Sequence, residues 1–157
     1  MVEYGANVNA AARTDDNTPL RVAITSGRIE GVTVGNTTRY RTIATSANLE
    51  IVKYLVEHGA NVEVQNEYGE SLFYIAVRHE KLELVKYFVE VLGADVNTSD
   101  NRGQPVLRRA AEKDNLELVK YLVEHGADVW KTCGCRMVKE FAHTEEVKRF
   151  LEDAESK

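Results

Sequence analysis

A chain of 157 residues that is 43% hydrophobic and 29% charged has the apolar content for one folded domain with a core, and is too short for two ordinary ones. Twenty basic against 25 acidic residues give a net charge of -5, the wrong sign for holding phosphate backbones, so no nucleic acid partner is expected. No apolar run approaches membrane-spanning length, Met1-Val2-Glu3-Tyr4 opens no leader, and Cys133 and Cys135 are too few for a disulfide framework; together these predict a cytoplasmic, or cytoplasmic and nuclear, protein with no membrane partner.

One phrase recurs along the chain as Gly5-Ala6-Asn7-Val8, Gly59-Ala60-Asn61-Val62, Gly93-Ala94-Asp95-Val96 and Gly126-Ala127-Asp128-Val129, at spacings of 54, 34 and 33 residues. The last two spacings set a repeat period. Met1 falls inside a second helix, so residues 1–17 read as a half-unit and its finger. Thr18-Pro19-Leu20 then opens a first helix that ends at Gly27. From Arg28 to Thr37 no helix is expected, and Val32-Thr33-Val34-Gly35-Asn36 reads as an extended segment with a turn. Thr38 to Glu50 aligns in register with Thr18 to Glu30, which predicts two successive first helices and a unit that has lost most of its second helix. A 20-residue loop insertion is the alternative.

Asn48 to His58, Lys81 to Leu92 and Asn115 to His125 are near-copies of one another. Each reads as an amphipathic second helix: in the first copy Leu49, Val52, Leu55 and Val56 share one face, while Glu50, Lys53 and Glu57 take the other. Gly59, Gly93 and Gly126 stand where a left-handed residue stops each helix. Ser71 to Glu80 and Pro105 to Asp114 read as first helices, packing closely through Phe73, Ala76 and Val77, and through Leu107, Ala110 and Ala111. Beyond Trp130 the pattern fades. Helices are still expected over Met137 to Ala142 and Thr144 to Ala154, with a charged surface suited to a C-terminal cap.

The 33-residue period, TPL at Thr18-Pro19-Leu20, paired alanines at Ala110-Ala111, LEIVKYL at Leu49 to Leu55 and GADVN at Gly93 to Asn97 resemble the ankyrin repeat, most fully from Gly103 to Val129. The resemblance implies an all-α solenoid of stacked helix-turn-helix units with β-turn fingers and one truncated unit. It also implies protein binding without catalysis and without a cofactor. The expected partition is a single ankyrin repeat domain: half-unit and finger 1–17, truncated repeat 18–37, repeats 38–70, 71–104 and 105–130, and cap 131–157. The incomplete N-terminal repeat leaves self-association open.

Cys133 and Cys135, with His125 and His143, raise zinc, but a CxC pair lacks the usual two-residue gap. His125, like His58, stands at a helix end where the dipole favours imidazole, so no metal is expected. Gly27, Gly31 and Gly35 lack the GK[ST] of a phosphate loop, and no nucleophile motif supports an enzyme. The sequons Asn36-Thr37-Thr38 and Asn97-Thr98-Ser99 need a secretory route. Asn97 also resembles ankyrin asparagines that a dioxygenase hydroxylates, but the expectation here is a structural role in the finger. Partner contact is expected at Tyr68, Tyr74, Ile75 and Arg78 in one unit and at Arg102, Arg109, Glu112 and Lys113 in the next. Arg21, Arg41 and Arg108 come directly after the TPL-like leucine, where the resemblance implies hydrogen bonding to a neighbouring finger. Arg78 and Arg109 lack that explanation; with Tyr68 and Tyr74 they predict an acidic or acidic-aromatic protein segment as partner. The rival readings are an architectural spacer within a longer array and a metal or redox role at the two cysteines.

Overall fold

A computed structural model describes residues 8–9, 18–25, 30–34, 37–41, 47–133 and 136–156. Two compact units divide the chain between Asn66 and Glu67. In the first, α1 (Pro19–Thr25) begins at a proline, whose fixed φ suits a first helical turn, and the Thr18 hydroxyl accepts the Arg21 amide at 3.3 Å. Leu20, Ala23 and Ile24 of α1 are buried. An antiparallel hairpin comes next, β1 (Glu30–Val34) with β2 (Thr37–Arg41), pairing Glu30 with Arg41 and Val34 with Thr37. After it stands α2 (Ala47–Glu57), which packs against α1.

The extended segment around Val32 is as expected, but the first helix expected from Thr38 is not: Thr37–Arg41, with Arg41, is a strand. Thr37, Thr38 and Tyr40 are β-branched or aromatic and suit a pleated surface better than a helix. Because α1 packs directly on α2, the unit opening at Thr18 keeps its second helix across an inserted hairpin, and the expected boundary at 37/38 falls inside that hairpin. The N-terminal half-unit, apart from Val8 and Asn9, lies outside the described residues, as does Gly27.

The second unit contains α3 (Leu72–Arg78), α4 (Leu82–Glu90), α5 (Val106–Glu112) and α6 (Leu116–Glu124). A short hairpin of β3 (Thr132–Cys133) and β4 (Arg136–Met137) leads to a 3-10 turn over Val138–Phe141 and then α7 (Glu145–Glu155). α3 packs on α4 and α5 on α6; α5 also touches α3 on one side and the 3-10 turn on the other, and α7 closes on α6 and on that turn. The cap therefore copies a repeat, with the turn where a first helix would stand. A full helix over Met137 to Ala142 is not formed.

Ala76 and Ala110 are wholly buried between helices lined by Leu84, Val85, Phe88, Leu118 and Leu122, and Val138, Ala142, Val147 and Leu151 seal the end. Each of the larger side chains contributes about 1.5–3 kcal/mol by leaving water. The Ser71 hydroxyl caps α3 by accepting the Tyr74 amide at 3.1 Å, and Asn115 caps α6 by accepting that of Leu118 at 3.1 Å. The predicted helix stops hold, with φ of 84° at Gly59, 68° at Gly93 and 91° at Gly126.

Candidate functional site

The fingers of the second unit are tied to each other through their backbones. The Asn101 amide donates to the Tyr68 carbonyl at 2.8 Å, and its Nδ2 donates to the Glu67 carbonyl at 3.1 Å. Gly69 makes room for this: it has φ of +72°, and a Cβ there would overlap the Asn101 carboxamide and stand 2.9 Å from its backbone nitrogen. Asp100 then shapes the next tip, because one carboxylate oxygen accepts the Arg102 and Gln104 amides, each at 2.9 Å. Its other oxygen accepts the Tyr74 hydroxyl at 3.4 Å and lies 3.8 Å from Arg109 Nη2.

A polar chain runs on from Tyr74 along the first helices. Arg109 Nε donates to the Tyr74 hydroxyl at 3.0 Å and Nη1 to Glu112 at 2.9 Å. The second oxygen of Glu112 pairs with Arg108 at 2.6 Å, and the Arg108 guanidinium lies 4.1 Å above the Phe141 ring. Arg78 pairs with the buried carboxylate of Glu70 at 3.0 Å.

Of the expected contact residues, Tyr68 is 55% exposed, and Arg102 and Lys113 are exposed. Arg78, Arg109 and Glu112 are partly exposed and already paired within the chain. Tyr74 and Ile75, unlike the others, are buried. Tyr74 stands in the register place of Arg21 and Arg108 and makes the finger hydrogen bond expected of that place; burial pushes its phenol up to about 12. Ile75 shares a register place with Arg109, but as an apolar side chain it packs inward. Arg108 makes no finger hydrogen bond among the described residues; it pairs with Glu112 of α5 and lies over Phe141 of the cap. Asn101 is expected from the sequence as an exposed finger-tip position, but its tie to the preceding finger, and the parts of Asp100 and Gly69, carry no sequence signal of their own.

Asn97 serves the finger structure. Its Nδ2 donates to the Gly126 carbonyl at 3.0 Å and its Oδ1 accepts the Asp128 amide at 2.8 Å. Asn9 does the same in the first unit, to Gly59 at 3.0 Å and from Asn61 at 2.7 Å. Trp130, in the corresponding place one repeat on, is 58% exposed. His58 and His125 are helix-end imidazoles, with Nδ1 2.7 and 2.8 Å from the carbonyls of Tyr54 and Tyr121. Among the described residues no three His, Cys, Asp or Glu side chains gather as a metal would need; Cys135 and the Cys133 side chain lie outside them. No helix among these residues is long and apolar enough to cross a membrane.

The description "Ankyrin repeats (3 copies)" belongs to the family whose model matches residues 42–133, more than half of the chain. No curated protein matches it.

Proposed function

Since the chain belongs to the ankyrin-repeat family, whose repeats are generally protein-protein interaction modules and typically non-enzymatic, we propose that it binds a protein partner reversibly through the finger tips and adjoining first-helix positions of residues 67–157. The observation that carries this reading is a contrast in burial. The repeated apolar positions, Leu84, Val85, Leu118 and Val119 among them, are buried, whereas Tyr68, Arg102 and Lys113, which vary between units, are exposed. An exposed aromatic beside basic side chains suits an acidic or acidic-aromatic segment, since tyrosine and arginine dominate binding hot spots. Arg109 no longer supports that choice, because Tyr74 and Glu112 take its donors.

The test is capture of binding proteins by the wild-type chain and by Tyr68→Ala, Arg102→Glu and Lys113→Glu variants, then affinity measurement with the purified partner. Loss on the tip variants, with folding intact, is the expected result. A partner retained equally by all of them would move the site elsewhere, and none beyond an unrelated repeat-protein control would favour an architectural spacer.

A further inference from the structure

Four arginines lie in the fingers and first helices of residues 67–157. Arg78 is paired with Glu70, Arg108 with Glu112, and Arg109 with Glu112 beside Asp100. Arg102 makes no ion pair among the described residues, and it is exposed. Glu67 accepts from the Tyr68 hydroxyl, whose phenol that hydrogen bond raises above its ordinary value while the Arg102 charge opposes the shift. The 2.8 Å bond from the Asn101 amide to the Tyr68 carbonyl sets Tyr68 and Arg102 on adjoining tips.

Their backbones are also fixed. Asn101, between Asp100 and Arg102, ties both Glu67 and Tyr68 carbonyls while its side chain occupies the space left by Gly69, and the Arg102 amide is held by Asp100. We infer that Asn101, seated over Gly69, is the positioning residue of a two-part recognition element, Tyr68 with Arg102, and that this element takes a protein segment carrying a carboxylate next to an aromatic side chain. The inference rests on the protein-binding reading above and names its partner chemistry. The exposed guanidinium, which makes no ion pair among the described residues, calls for the carboxylate, as a planar fork that pairs bidentately. The exposed ring calls for the aromatic neighbour. Fixing the two before association avoids the entropy of ordering them on contact.

The experiment uses the full chain and a fluorescein-labelled peptide of glutamate and phenylalanine spaced by serine, with control peptides in which lysine replaces glutamate or alanine replaces phenylalanine. Binding is read by anisotropy at low and high salt, and folding by circular dichroism. The glutamate-phenylalanine peptide should bind, more weakly at high salt, and Tyr68→Ala and Arg102→Ala should each weaken it about tenfold. Asn101→Ala should weaken it by about tenfold in the wild-type chain and by much less in the Arg102→Ala background, a coupling that general loosening of the fold would not produce. Lys120→Glu on α6 should change it little.

If Asn101→Ala weakens binding equally in both backgrounds, or not at all, while the tip variants still matter, the positioning role is overturned and the protein-binding reading stands. If no peptide binds, or the lysine peptide binds as well, the carboxylate chemistry is overturned. The capture experiment with tip variants still decides the broader reading in either case.

Discussion

Successive repeats of the second unit place different residues at the same positions, and the neighbour on the C-terminal side of each repeat decides what those residues do. Tyr74 turns its hydroxyl to Asp100 in the next finger, whereas Arg108, its counterpart, lies over Phe141 of the cap. Glu80 and Asp114 both adopt left-handed backbones, with φ of 56° and 52°, a conformation that costs a non-glycine residue about 1 kcal/mol. Glu80 accepts from the Asn115 side chain at 3.2 Å. Asp114 instead accepts the His143 amide at 2.8 Å, the Thr144 amide at 2.9 Å and the Thr144 hydroxyl at 3.1 Å, holding the start of α7. Asn97 ties its repeat to the next one through its carboxamide, whereas Trp130 has no carboxamide and is exposed. An inner repeat meets carbonyls and a capping asparagine; the last one meets an aromatic ring and the bare amides of a helix start.

The comparison is broken most severely at Gly69. Gly69→Ala brings a Cβ against Asn101 and strains a φ of +72°, and should cost about 2–3 kcal/mol in denaturant unfolding. Asn97→Ala should cost about 1–2 kcal/mol through two lost hydrogen bonds, while Trp130→Ala, at the same register place, should stay within about 0.5 kcal/mol. Equal costs for the two would erase the distinction between inner and last repeat.

Asp114 offers a subtler break. Hydrogen bonds from the Thr144 and His143 backbones hold its carboxyl below the usual range. A depressed carboxyl favours the folded state above its unfolded value of about 3.9 and loses that contribution as pH falls through the folded value. Protection of the His143 and Thr144 amides, relative to their intrinsic exchange at each pH, should therefore fall several-fold in acid and in Asp114→Asn, with α3 unaffected. The smallest effect concerns two phenols. Burial pushes Tyr74 and Tyr121 up to about 12, so stability should decline as pH rises past about 10, and phenolate absorbance should contain a component that ionises only near pH 12. Titration of both at the ordinary value would contradict their burial.

Much of the fold was legible because it is repetitive. The near-copies from Asn48, Lys81 and Asn115 revealed α2, α4 and α6, and the glycines after them revealed where each stops. The hairpin was half legible. Val32-Thr33-Val34 signalled a strand, but the register match of Thr38 to Glu50 with Thr18 to Glu30 pointed to a helix, and strand pairing with β1 prevailed. The site was less legible. Periodicity cannot tell which polar first-helix residue turns toward a neighbouring finger, so Tyr74 read as a contact residue although it is buried against one. The seat made by Gly69 for Asn101 depends on two residues 32 positions apart, a relation visible only once the fingers are stacked.

Trp130 is the chain's one tryptophan, and its 58% exposure makes it an optical probe of an unusual kind. At that exposure its emission should lie close to that of an indole in water, so melting the helices should shift the spectrum little, and fluorescence would under-report global unfolding. A molecule covering the outer edge of the last finger would instead draw the emission to the blue and shield it from a soluble quencher, while one confined to Tyr68 and Arg102 would leave it unchanged.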